Sequence, residues 1–145
     1  MRKTIFILSV SSLSSCASLP DTSDALMGST QIKETYCYAG DYQHVSEKVR
    51  GFLEQCYYVH TVIVPIAGIP MPMTSEYQVI EEDGANYKRY SVRSKYGFGI
   101  SVNIKPGINN CKTQVDMYAL RSHLREKFNR IDAAINGNNP GCGII

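Results

Sequence analysis

Apolar positions recur along this chain with two different periods. From Asp41 onward, Tyr42, Val45, Val49, Phe52, Leu53 and Cys56 fall on one helical stripe, with Glu47, Arg50 and Glu54 opposite. Gly40-Asp41 precedes that stripe and supplies an N-cap, a carboxylate placed to accept from the free backbone N–H groups of the first turn. A second stripe, Leu120, Leu124, Phe128, Ile131, Ala134 and Ile135, predicts a closing helix that stops at Asn136-Gly137 with Pro140 beyond. Between the two helices the period drops to two. Residues 57–64 are rich in β-branched and aromatic side chains and end at Pro65; residues 76–82 form a second strand, closed by Asp83-Gly84. Residues 86–94 read as a third. Phe98, Ile100, Val102 and Ile104 alternate strictly with Gly99, Ser101, Asn103 and Lys105, the mark of a half-buried strand. Cys111, Thr113, Val115 and Met117 continue the alternation on a fifth. Short turns between neighbours imply an antiparallel meander. The pattern therefore predicts an α+β fold, an antiparallel sheet of about four to five strands with an N-terminal and a C-terminal helix packed on one face.

A chain of 145 residues supports one core of this kind, and a 43% apolar share is enough to fill it. Residues 16–34 are small, polar and without sustained period, so they read as a flexible tether, with the single globular domain spanning 35–145. No repeat is visible.

The first residues belong to a different pattern. Met1-Arg2-Lys3 is followed by Ile5-Phe6-Ile7-Leu8 and then a run of small residues ending on Cys16. A short positive segment, a short apolar segment and small residues make a secretory signal, too short to span a bilayer. Leu13-Ser14-Ser15-Cys16 resembles the lipobox of bacterial lipoproteins. The resemblance covers only this segment. It implies a signal peptide at 1–15 that is cut before Cys16, with diacylglycerol on the Cys16 thiol and an acyl chain on its new amine. It also implies attachment to a membrane, and Ala17 in place of a retaining aspartate points to the outer membrane, facing the periplasm. One acyl chain holds a protein only marginally, whereas two or more hold it firmly. Of the 15 Lys and Arg residues, Arg2 and Lys3 lie in the signal, which leaves 13 against 13 Asp and Glu. A neutral mature chain lacks the basic excess that phosphate neutralisation requires, so nucleic acid is not an expected partner.

Assigning Cys16 to lipid leaves Cys37, Cys56, Cys111 and Cys142, an even set suited to disulfides in an oxidising compartment. The expected pairs are Cys37–Cys56 and Cys111–Cys142, each flanking one predicted helix. The competing use, a zinc set of Cys37, His44, Cys56 and His60, has a spacing unlike the usual knuckles and divides its histidines between a helix and a strand.

Catalytic signatures are sparse. His44, His60 and His123 are scattered, and neither a Gly-x-Ser-x-Gly elbow nor a glycine-rich phosphate loop occurs. Glu81-Glu82-Asp83 reads as a solvated turn. Neither a metal nor a non-covalent cofactor is expected; Met71 and Met73 are soft donors without a third. Two features suggest contact with a partner. Residues 65–73 form an apolar, proline-rich connection, expected to be irregular, in which Ile66, Ile69, Met71 and Met73 are the candidate contacts. Tyr87 and Tyr118 fall on strand faces that are otherwise polar, as on an open recognition surface. The expected role is thus that of a lipid-anchored envelope protein that binds or supports an envelope protein or peptidoglycan without catalysis. Two alternatives stand beside it. Tyr36-Cys37-Tyr38 and Asp83-Gly84-Ala85-Asn86-Tyr87 resemble short motifs of lipoprotein inhibitors of lysozyme, which implies an all-β barrel. A small peptidoglycan-related enzyme would need a cleft where a histidine meets a carboxylate or nucleophile.

Overall fold

The computed structural model describes residues 19–58 and 60–143, so Cys16 and the signal segment lie outside the described residues. Within them the elements run α1 (Ser23–Ser29), β1 (Ile32–Tyr38), α2 (Tyr42–Cys56), β2 (His60–Ile66), β3 (Ile69–Ser75), β4 (Tyr77–Asp83), β5 (Lys88–Ser94), β6 (Gly97–Pro106), β7 (Thr113–Ala119), a 3₁₀ turn (Ser122–Arg125) and α3 (Glu126–Ile135). The fold is α+β. Five antiparallel strands form the main sheet in the order β1-β7-β6-β5-β4, and β2 and β3 pair as a separate ribbon.

The alternation on β6 fixes which face is buried. Ile100, Val102 and Ile104 meet Ala119, Met117 and Val115 across the β6–β7 pairing, and all six are essentially inaccessible. Against this face pack Val45, Val49, Phe52, Leu53 and Cys56 of α2 and Phe128, Ile131 and Ile135 of α3. Asp41 caps α2 as its position predicts, its carboxylate accepting from the His44 N–H at 2.9 Å. The closing helix starts later than the apolar stripe suggests. Leu120 donates its N–H to the Gly99 carbonyl at 2.9 Å, which holds it against β6 and delays α3 to Glu126.

The opposite sheet face is polar yet covered. Ser91 and Ser101 are fully buried there and share a hydrogen bond of 2.9 Å. The segment expected as a tether holds α1 and the start of β1 instead. Leu26 of α1 is fully buried, and Arg89 of β5 reaches Ser23, Asp24 and Glu82 at 3.0, 2.8 and 3.0 Å. One leucine and one arginine dock a helix whose sequence shows no periodic stripe. Helices therefore flank the sheet on both sides, in contrast to the all-β barrel implied by the inhibitor resemblance.

The disulfides correct the expected pairing. All four cysteines are bonded, as Cys37–Cys111 and Cys56–Cys142. The reason is β1, which pairs with β7 and brings Cys37 beside the entrance to that strand. Packing of α3 along α2 likewise carries the tail to the end of α2, where Cys56 sits. With both sulfurs oxidised, the zinc set containing Cys37 and Cys56 has no thiolates to offer.

Candidate functional site

A cleft of about 610 Å³ opens where β6 begins. Tyr57, Tyr77, Phe98, Ile100, Leu120 and Leu124 provide its apolar wall, and Met73 and Thr74 at the base of the β2–β3 ribbon form part of its rim. Tyr57 follows directly on α2, and its ring meets that of Tyr77 edge-on at 5.7 Å. The Tyr57 hydroxyl is buried with no partner among the described residues, and burial pushes its pKa well above the ordinary tyrosine range. The lining also carries charge, on Glu76, Lys95, Arg121, Glu126 and Lys127. Glu126 is engaged by Arg130 at 2.8 Å, which holds its carboxyl below the usual range, and Lys127 donates to the Cys142 carbonyl at 2.9 Å. Lys95, Arg121 and Glu76 line the same mouth and make no ion pair among the described residues. With Glu126 and Lys127 engaged elsewhere, an apolar wall with Lys95 and Arg121 against Glu76 suits an amphipathic ligand with an anionic head.

The chain also enters the domain here. Leu19 lines the cleft, and the Pro20 carbonyl accepts from the Phe98 N–H at 2.9 Å. Gly97, at φ +133°, makes this approach feasible: a Cβ there would lie 2.7 Å from the Pro20 oxygen and 2.9 Å from the Leu19 Cβ.

Residues 65–73, expected to be irregular, are instead an ordered hairpin. Ala67 and Gly68, at φ 51° and 82°, form a two-residue turn whose positive φ angles match the twist of the flanking strands. The prolines are tolerated because of register. The closing pair Ile66↔Ile69 exchanges backbone hydrogen bonds, so the ladder skips Pro65↔Pro70, resumes at Val64↔Met71 and skips Ile63↔Pro72. Each proline thus stands where its missing N–H would have pointed outward. Of the expected contact residues, Ile66, Ile69, Met71 and Met73 are all exposed on this ribbon, and Ile63, which sequence reasoning did not single out, is more exposed than any of them at 73%.

Tyr87 and Tyr118 do not join them. Tyr87 is half-buried, its ring 4.9 Å from the Arg89 guanidinium carbon and packed against Gly84; Tyr118 is half-buried with Lys33 Nζ 5.1 Å from its centroid. Both rings serve contacts within the domain. The acidic turn is likewise committed: Glu81 and Asp83 take Lys88 at 2.8 and 3.4 Å, and Glu82 takes Arg89. His123 lies on the rim of the large cleft, while His44 lines a separate hollow of about 330 Å³ between α2 and the end of α3. These two histidines are not brought together. Among the described residues no group of three His, Cys, Asp or Glu side chains could hold a metal ion, and no helix is long and apolar enough to cross a membrane.

No protein-family model matches the chain, and neither a curated protein nor a solved structure matches it. The cleft was invisible to sequence reasoning because its lining is drawn from β3, β4, β5, β6, the 3₁₀ turn and α3 together with the connections between them. Its one sequence signal is Gly97-Phe98-Gly99, where paired glycines mark a close backbone approach.

Proposed function

We propose that this is a lipid-anchored cell-envelope protein, carried on diacylglycerol and acyl chains at Cys16, whose domain binds an amphipathic envelope ligand without catalysis. The observation that carries the reading is where the chain enters. Leu19 forms part of the cleft wall, so a lipid on Cys16, three residues earlier, holds the cleft mouth within about 10 Å of its bilayer. Two disulfides fit an oxidising compartment such as the periplasm. The apolar wall and the Lys95 and Arg121 cations match a ligand with an acyl-like tail and an anionic head.

Calorimetric titration of the mature chain with monomeric myristate tests the binding. Saturable one-to-one uptake is expected, weakened by Leu124→Trp, which fills the cleft, and by Arg121→Glu, which reverses the charge at the mouth. An absence of saturation, or binding unchanged in both variants, would refute it.

A further inference from the structure

We infer that the β2–β3 hairpin is a second membrane element, whose tip enters the bilayer interface beside the lipid anchor. The inference rests on the anchored reading above and adds a contact that the anchor alone does not require. Between Glu54 and Glu76 the chain contains no Asp, Glu, Lys or Arg. The hairpin exposes apolar side chains on both faces of the ribbon. By strand alternation Ile63 lies on one face, while Ile66, Ile69, Met71 and Met73, between 47 and 62% exposed, lie on the other.

A protein groove covers one face of such a ribbon, and a pairing strand needs edge donors. Here Pro65, Pro70 and Pro72 remove outward N–H groups from both edges near the tip. Loss of those donors disfavours strand addition, by a second copy or by a partner. It favours lipid, where an unsatisfied N–H is costly. From Ile63 to Ile66 the ribbon extends roughly 10 Å at about 3.4 Å per residue, comparable to the 5–10 Å that interfacial elements bury. Behind the apolar tip stand groups suited to the headgroup layer. Tyr58 lies just before β2, and Tyr96 and Lys95 share the cleft mouth with Met73, Thr74 and Arg121; the two tyrosines are 57 and 67% exposed. Because Leu19 lies at that same mouth, anchor and hairpin leave the domain at one end.

The natural chain has no tryptophan, so Ile66→Trp places a single reporter at the tip. Ile108→Trp, beyond the opposite end of β6, is the control. In lipid-bearing full-length mature protein on phosphatidylethanolamine–phosphatidylglycerol vesicles with brominated acyl chains, the tip reporter should shift to the blue and lose most of its intensity. The control should behave as in water. A tip reporter that stays water-like on vesicle-bound protein overturns insertion and leaves the anchor standing. If intact mass shows no lipid on Cys16, the anchored reading fails on its own, and the same quenching measured with excess vesicles still decides insertion either way. A blue shift that grows with protein concentration without vesicles shows the tip covered by a second copy and overturns the inference. In a Cys16→Ser background, Ile66→Asp and Ile69→Asp should each weaken vesicle binding by roughly tenfold or more; unchanged affinity counts against insertion.

Discussion

The disulfide connectivity has consequences that can be worked through from the chain itself. Cys37–Cys111 and Cys56–Cys142 join residues separated by 74 and 86 positions. In the chain-entropy account, loops of this length each stabilise the fold by about 4–5 kcal/mol, with measured values more often near 2–4. Against a total stability of roughly 5–15 kcal/mol, loss of either bridge is a large fraction. The perturbation is pairwise. In a Cys16→Ser background, which keeps that sulfur out of the count in both variants, Cys37→Ala with Cys111→Ala removes one bridge and leaves the other, so the purified variant should contain no titratable thiol in denaturant. It should also unfold at clearly lower urea. Cys37→Ala with Cys56→Ala breaks both bridges and leaves two free thiols, on Cys111 and Cys142. Pairing of sequence neighbours predicts the opposite thiol counts, so a single colorimetric assay on the two variants decides, and reversed counts would refute the topology argument.

The same bridges differ in access. Cys37 is exposed, whereas Cys56 is only 2% exposed and packed in the helical core. Graded treatment with a phosphine reductant should therefore open Cys37–Cys111 first, releasing the β1 edge while α2 and α3 stay joined. Alkylation and peptide mapping at early times read the order. Simultaneous opening would show that access to the two sulfurs is not what limits reduction.

Three other outcomes are expected. The buried Asp116 carboxyl is pushed up by burial but pulled further down by hydrogen bonds from Thr35, Lys105 and Gln114, at 2.6, 2.9 and 3.0 Å, so its folded pKa lies below its unfolded value. Its contribution is complete above the unfolded value of about 3.9 and fades as pH falls through the lower folded value; Asp116→Asn should flatten that acid limb in urea titrations, and parallel limbs would contradict it. Arg89→Met should cost about 2 kcal/mol and speed amide exchange in α1, since Ser23, Asp24 and Glu82 lose a shared donor; unchanged α1 protection would show that Leu26 alone docks the helix. Cys16→Ser should move most of the protein out of membrane fractions, the hairpin alone holding it weakly, while Cys111→Ser, which destabilises the fold, should not, and unchanged fractionation of the first variant would argue against the lipid anchor.

What the sequence revealed and what it hid divide along one physical line. Period is a local property, so the stripes of α2 and α3 and the alternation of β6 and β7 announced themselves, as did the Asp41 cap. Elements that owe their form to distant partners did not. β1 reads Ile-Lys-Glu-Thr-Tyr-Cys-Tyr, with charge at two of its first three positions, and is held because β7 offers it an edge. α1 is seven residues long, too short for a period to emerge, and its docking depends on Arg89, 65 positions from Asp24. Missing β1 made Cys37 look like a neighbour of Cys56 rather than of Cys111, so one unseen strand carried the pairing with it. The hairpin failed in the opposite sense. Three prolines in one segment argue against ladder bonding when each is judged alone, but a two-residue turn at Ala67-Gly68 sets a register in which all three fall on outward-facing positions. Proline spacing relative to the turn, rather than proline content, was the signal. It also bears on function, because the register that permits the strands strips donors from the edges they present.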